Sequence, residues 1–546
     1  MNDDAARIVA TDGERGFVRA TGLMSVGTAL SRITGYLRLA AMAFALGITE
    51  SRLPDAYSIA NITPNILYEL ALGGILTSVV VPVLVEWRER RGQEAAWDAA
   101  RRMLTLAAIG LSALALAAIV LAPWIVRLFT LRVGADAEAV RATATFFLRW
   151  FMPQVVFYGV GAIGGATLNV HRRFGVAMFA PILNNLVVIA TFLLYAGLPG
   201  PAAGSGLLAT PLQESVLAIG TTLGVVAMTV ALWPAIRGLG FRFHLRPGLR
   251  DDAIRRIAGL AGWVLVYVAV NQAAYAVVLV LAAEQQGGYT AYASAFMLFQ
   301  LPHAIFAVSI FTALLPGLSS RWAAGDTQAF RELLARGLRA TGAIVLPAAL
   351  AYLVLAREVV RVLLEHGVAG AASGDLVASI LVAFAFGLVP FSLFQLLLRA
   401  CYATQDTRTP ALVNLAAAAL NVAVNLVLVL RFELGVRGLA FGHAASYVVG
   451  SALLYLLLRR RIGALPRGSV GPAMLRAGAA SVATAAVAWA AASALGGVLD
   501  TATLAGQVLR LTGAVIAGLA TYAVAAMLLG VEEVRAVAAM VRRRRS

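Results

Sequence analysis

The chain has no lysine, one cysteine and few charges for its length: 13% of 546 residues are charged, where a soluble globular protein carries about a quarter. A lone Cys401 excludes an intramolecular disulfide and leaves no thiolate cluster for a metal. The first fifteen residues, Met1 to Arg15, are polar and carry acids, so they do not form a cleavable signal sequence. Without lysine, the net charge of +17 rests on arginine alone. A GC-rich genome accounts for that preference as readily as any function does. The arginines fall in short connections between apolar blocks, which argues for membrane topology and against a nucleic-acid footprint.

What is present is hydrophobic sequence, 60% of all residues. It is arranged in blocks long enough to span about 30 Å of hydrocarbon, which takes roughly 20 residues per helix. The hydropathy pattern predicts an all-α polytopic membrane protein with fourteen transmembrane helices. They lie near 18–47, 55–87, 103–130, 142–168, 175–198, 207–235, 253–283, 289–319, 338–365, 376–402, 410–430, 435–458, 471–496 and 503–530. Alternate connections are rich in arginine. They include Arg88, Arg90, Arg91, Arg101 and Arg102, then Arg172 and Arg173, Arg321 to Arg339, Arg459 to Arg461, and Arg542 to Arg545. The opposite set holds few, such as Arg52, Arg132 and Arg437. The positive-inside rule places both termini in the cytoplasm.

Prolines recur at a nearly constant offset. Pro64 and Pro302 are 238 apart, Pro82 and Pro316 are 234 apart, and Pro153 and Pro390 are 237 apart, with Trp87 and Trp322 at 235. An even-numbered repeat of six helices preserves orientation, as in parallel-repeat transporters. The expected organisation is a cytoplasmic segment 1–17, an N-lobe 18–240, a C-lobe 241–465, two extra helices in 466–532 and a basic tail 533–546. The two lobes are expected to be pseudo-symmetric.

Ionisable and amide side chains inside a span are costly and mark candidate sites. Helix 1 holds Arg32 and Arg38 with Gly35 midway between them, about 120° apart around the helix. Two guanidinium groups so placed suit one anionic group, bidentately if it is a phosphate; the alternative is snorkelling or pairing with Asp55 or Glu69. Helix 2 carries Asn61, Asn65 and Glu69 at i, i+4, i+8, with Tyr68 beside them. Helix 10 places Gln395, Arg399, Tyr402 and Asp406 at i, i+4, i+7, i+11, within about 60° of one face. They are expected to gate or anchor, with Gly35 and Arg408. Asn169, Asn271, Gln300 and the asparagines of helix 11 complete the polar set, and His303 reads as a satisfied hydrogen-bonder. A positively biased cavity between two lobes favours an anionic substrate over a drug cation. The adjacent acids Asp251-Asp252 stand among arginines at a helix start and do not make an enzyme.

Several motifs resemble one family. Ser31-Arg32-Ile33-Thr34-Gly35-Tyr36-Leu37-Arg38 is similar to the opening of the MurJ/MviN lipid II flippases. Asp55-Ala56, Pro64-Asn65, the run GGILTSVVVPVL ending at Leu84, LNVHRRF at 168–174, LLPGLS at 314–319 and RACYATQDTRTP at 399–410 continue the likeness. The resemblance implies the MOP/MATE exporter fold and alternating access. It implies an undecaprenyl-pyrophosphate-linked peptidoglycan precursor as substrate, and a tail groove bordered by helices 13 and 14. Arg32, Arg38 and Asp55 match family functional positions. The acid after the second helix 1 arginine is Leu39 here, the helix 2 arginine and glutamate fall on Tyr68 and Gly73, and a helix 8 arginine falls near Met297. These departures mark a divergent branch, with Glu69 and Arg399 as replacements. By the same resemblance Asp406 is a sodium-ligand candidate, and a sodium or proton gradient or the membrane potential is the driving force. A polyprenyl-linked oligosaccharide flippase and a cation-coupled multidrug exporter are the alternatives on this fold.

Overall fold

The computed structural model describes residues 26–73, 81–171, 173–202, 205–241, 252–466 and 468–535. The expected segment 1–17, the tail beyond residue 535, Asp251, Arg172 and much of the GGILTSVVVPVL run lie outside the described residues. Among the described residues the secondary structure is helical, without strands. In chain order, α1 covers 26–46, α2 Leu53–Tyr68, α3 Val81–Arg91, α4 Gln93–Phe129, α5 Ala137–Phe151 and α6 Gln154–Val170. Then come α7 Phe174–Ala196, α8 Pro211–Val230, α9 Trp233–Arg237, α10 Asp252–Ala282, α11 Gly288–Pro302 and α12 Val308–Ala323. The last six are α13 Thr327–Leu364, α14 Ala371–Ala403, α15 Arg408–Leu426, α16 Gly435–Ile462, α17 Gly471–Val498 and α18 Leu504–Leu528.

Twelve helical segments among the described residues are long and apolar enough to cross a membrane. The α1 helix and the α2–α3 region are not among them, and these two carry most of the polar candidates. Helices α4 and α13 start at Gln93 and Thr327, about ten residues before their expected starts. Hydropathy detects the lipid-embedded stretch, but here the extra turns are amphipathic: Trp97, Ala100, Met103 and Leu104 are buried beside Arg101. Arg101 is itself neutralised by Asp98 at 2.8 Å.

Local chemistry sets the ends. Thr210 and Gln213 form a reciprocal capping box on α8, satisfying two orphan amides. Asp326 accepts from the Ala329 amide at 2.9 Å to start α13. Gly287 caps α11 with φ +71, where a Cβ would stand 2.2 Å from the Ile48 carbonyl; only glycine fits both the backbone and the approach. A π-helical turn follows the repeat proline in two matched spans, at Glu69–Gly73 after Pro64 and at His303–Ala307 after Pro302. Proline removes a backbone donor, and such bulges are common at functional sites.

Contacts divide the chain into two compact units, Met1–Gly47 with Ser51–Ala273, and Ile48–Glu50 with Ala274–Ser546. In the first unit, Tyr57 stands edge-on to Phe147, Phe151 and Phe192, with ring centroids 5.8, 5.6 and 5.5 Å apart. Its hydroxyl meets Thr221 Oγ1 at 2.8 Å, so one residue joins α2 to α5, α7 and α8. In the second unit, Phe299, Phe384, Phe391 and Tyr447 cluster around His443. There α14 and α16 approach so closely at Gly387 that a Cβ would stand 2.8 Å from Ala444 Cα. Helices α17 and α18 pack on α13 through small residues, Ala480, Ala488, Ala492 and Ala514. Arg510 on α18 ties this layer to α13 through Glu358 at 2.9 Å, and it joins α18 to α17 by donating to the Ala492 carbonyl at 2.8 Å.

The Arg510–Glu358 pair is half-buried, and removing one partner leaves a partly desolvated charge without its counter-charge, costing about 1 kcal/mol or more. Arg510→Met is therefore expected to lower the Tm of the purified protein, and adding Glu358→Leu to recover most of the loss. Equal Tm values for the wild type and Arg510→Met would show that the pair does not hold α18.

Candidate functional site

The first unit gathers most of the polar candidates. On α1 an exposed apolar stripe, Val26, Leu30, Ile33, Leu37 and Phe44, runs opposite the buried Gly35. Arg32 and Arg38 flank that glycine, both half-buried. Neither has a carboxylate partner among the described residues. Arg38 lies within electrostatic range of the Tyr57 and Tyr158 hydroxyls, and Arg32 of Tyr36. The helix is fixed on α7 by Asn185, whose amide donates to the Ser31 carbonyl at 3.1 Å and to Thr34 Oγ1 at 3.0 Å.

From Arg38 the polar track passes along α2. Tyr158 interacts with the Asn65 side chain and donates to Gln154 Oε1 at 3.3 Å, while the Asn65 amide reaches the Asn61 carbonyl at 3.4 Å. Tyr158 also lies against Tyr68, centroids 5.9 Å apart. Next to this contact is a cavity of about 490 Å³ lined by Tyr68, Glu69, Tyr158, Asn169, Pro181 and Thr229, among others. Gly161 and Gly165 make room for it: a Cβ on Gly165 would touch only Ala177, at 4.0 Å. Glu69 opens the π turn and has no cationic partner among the described residues. Asn169 Oδ1 is buried without a hydrogen bond among the described residues. The cavity thus brings together three predicted residues, Tyr68, Glu69 and Asn169.

Others go elsewhere. Asp55 is buried and pairs with Arg52 at 3.9 Å at the start of α2. Asn271 donates to the Tyr267 carbonyl one turn back on its own helix, at 2.8 Å. In the second unit Gln300 is half-buried three residues before the start of the π turn. His303 meets Ser392 Oγ at 3.0 Å, a satisfied core histidine. Arg399 lies over the Phe311 ring at 5.5 Å, and Tyr402 is exposed.

The helix 10 face needs correction. The α14 helix ends at Ala403, and Gln405 takes φ +59. Asp406 therefore lies past the helix end, where the i+11 spacing no longer holds. Instead it accepts from the Thr409 amide at 3.0 Å and pairs with Arg461 on α16 at 3.2 Å. Arg461 also donates to the Thr404 carbonyl at 3.0 Å and lies over Trp322. Arg408 is exposed on the first turn of α15. This is an anchoring cluster, and among the described residues no group of three histidine, cysteine or carboxylate side chains is poised for a metal.

Sequence reasoning missed Tyr158, Gln154 and Asn185. Two signals were available: Gln154 and Tyr158 stand at i, i+4 in an apolar span, and Asn184-Asn185 is an adjacent amide pair in another.

These observations define a class first, a polytopic helical membrane protein. A solved lipid II flippase MurJ in an inward closed conformation superposes with TM-score 0.72 over 93% of this chain and 99% of that one, at 19% identity. An inward-facing multidrug resistance MATE family transporter of the MOP superfamily gives 0.63 over 80% and 96%, at 16% identity. The family model "Lipid II flippase MurJ" matches residues 42–504. The chain belongs to the MurJ lipid II flippase family. It is similar to the lipid II flippase MurJ of Burkholderia cenocepacia, 29% identical over 81% of this chain and 84% of that protein. The probable lipid II flippase MurJ of Vibrio cholerae is 27% identical over 93% and 95%.

Burial works against the charge on Asp406, but the Thr409 hydrogen bonds and Arg461 outweigh it and hold its carboxyl below the usual range. A depressed carboxylate contributes stability that is present above its unfolded pKa and lost as pH falls through its folded value. Asp406→Asn is expected to lower Tm at neutral pH and to flatten the acid-side decline. An unchanged pH–Tm profile would remove Asp406 from the anchor.

Proposed function

We propose that this chain flips lipid II, the undecaprenyl-pyrophosphate-linked peptidoglycan precursor, from the cytoplasmic to the periplasmic leaflet of a bacterial inner membrane by alternating access. The observation that carries the reading is the family match over residues 42–504, supported by two α1 arginines left without carboxylate partners among the described residues. A pyrophosphate carries negative charge at several oxygens, and guanidinium groups bind such oxygens through paired N–H donors. Arg32 and Arg38 receive it, and the Asn61, Asn65, Tyr158 and Tyr68 track offers neutral donors beyond them. Translocation makes and breaks no covalent bond, so the reading includes no catalytic group.

In this reading both termini face the cytoplasm, and α17 with α18 borders the path of the lipid tail. The driving force is the membrane potential or a sodium or proton gradient. The Glu69 cavity belongs to the moving part of the cycle, where a π turn already interrupts the span.

Supplied in trans, the chain is expected to rescue a bacterium depleted of its essential lipid II flippase and to expose lipid II to a periplasmic cleaving enzyme. Arg32→Ala and Arg38→Ala are each expected to insert normally and lose rescue by tenfold or more. Full rescue by both variants would contradict the role given to α1. Gly165→Leu fills the cavity without a backbone clash and is expected to keep Tm while slowing exposure of lipid II. Wild-type rates in that variant would separate the cavity from transport.

A further inference from the structure

A second polar site lies on the outer face of the first unit, between the last turns of α4 and the length of α5. It is a cleft of about 880 Å³ whose walls include Arg127, Glu138, Arg141, Phe146, Arg149 and Trp150. That volume is within the range of small-ligand sites, roughly 300–1,000 Å³. None of these residues belongs to the track described above.

The pattern on α5 is inverted for a membrane helix. Its buried face is apolar, with Val140, Ala144, Phe147, Leu148 and Phe151. Its outward face carries Glu138, Arg141, Thr145 and Arg149 at i, i+3, i+7, i+11. A helix facing only acyl chains does not place a charged stripe outward. The charges are not neutralised within the protein either. Arg127 and Arg149 are exposed, and neither has a carboxylate partner among the described residues. Arg141 is held in place by Thr130, through Oγ1 at 3.1 Å and the carbonyl at 3.1 Å, which orients its remaining N–H groups. Three guanidinium groups face a single carboxylate, Glu138, so the cleft has net positive charge. The helix dipole favours cations at a C-terminus, which suits Arg127 on α4 and Arg149 on α5, yet it does not explain Arg141 near the start of α5 or why the three converge on one cleft.

The aromatic residues point to an amphiphile. Trp124 and Trp150 are 62% and 46% exposed; Trp124 stands near the end of the span Gln93–Phe129, where tryptophan marks the membrane interface, and Trp150 lies further along the span Ala137–Val170. Phe146 packs against Trp150, with centroids 6.5 Å apart. An occupant here needs an anionic head for the arginines and an apolar body for the rings.

We propose that this cleft binds the phosphodiester head of an anionic phospholipid, with Arg127 and Arg149 as the principal phosphate donors and Arg141 as a pre-oriented third. In the orientation proposed above it opens to the periplasmic leaflet. The inference is independent of the flippase reading, because it concerns a lipid held on the outer wall and not the cargo.

The test is native mass spectrometry of the purified full-length chain with phosphatidylglycerol or phosphatidylethanolamine, alongside Tm with each lipid and with inorganic phosphate. Phosphatidylglycerol is expected to be retained at least fivefold over phosphatidylethanolamine and to raise Tm. Arg127→Gln/Arg149→Gln is expected to abolish both effects while matching the wild-type Tm without anionic lipid. Arg127→Lys/Arg149→Lys, which keeps the charge, is expected to restore part of the retention. Equal retention of the two lipids, or undiminished phosphatidylglycerol retention in the glutamine variant, would overturn the proposal. An equal Tm rise from inorganic phosphate alone would also overturn it, by assigning the site to a free anion.

Discussion

An ionised side chain in hydrocarbon is costly unless a partner or a wet cavity compensates it, and the use of charge throughout this chain follows from that cost. Where a charge is structural, the protein supplies the counter-charge. Arg510 has Glu358, Asp55 has Arg52, Arg339 has Glu533, and Asp406 has Arg461. The Arg52–Asp55 pair is local to the start of α2, and the other three join elements distant in the chain. Against this background Arg32, Arg38 and Glu69 stand out, because they are half-buried and no opposite charge meets them among the described residues, whereas Arg127 and Arg149 are exposed. All three belong to the first unit.

The same cost shapes the backbone. Spans α2 and α11 carry a proline and then a π turn, so backbone groups are released where polar side chains gather. Tyr57 compensates on the other side of α2 with three buried aromatic contacts and a hydroxyl bond. The first unit thus holds α2 firmly at Tyr57 and leaves it irregular at Glu69. A rigid seat next to a broken span is what a substrate path between two access states requires.

Much of this was legible in the sequence. The fourteen apolar blocks, the proline repeat and the α1 motif all depend on local composition, which hydropathy and spacing report directly. Gly35 between Arg32 and Arg38 follows from helical geometry, and α1 keeps that geometry. What local spacing does not report is where a helix ends or which distant residue meets it. Helical spacing puts Asp406 on one face with Arg399, because nothing in RACYATQDTRTP announces that Gln405 turns left-handed. The long amphipathic starts of α4 and α13 were invisible to hydropathy because their apolar sides face protein. Tyr158 was overlooked for a related reason: its importance lies in joining Arg38, Asn65 and Tyr68, which come from different helices.

In the proposed function the anion path depends on the two α1 arginines and on the neutral donors of α2 and α6. The most direct measurement of that account is reconstitution of the purified chain in liposomes carrying fluorescent lipid II, with transbilayer movement followed by a membrane-impermeant quencher. The account predicts movement in wild-type vesicles, loss of it when Arg32 and Arg38 are both replaced by alanine, and no movement of a neutral polyprenol analogue. Equal movement of the pyrophosphate-linked and neutral lipids, or wild-type rates without the two arginines, would contradict it.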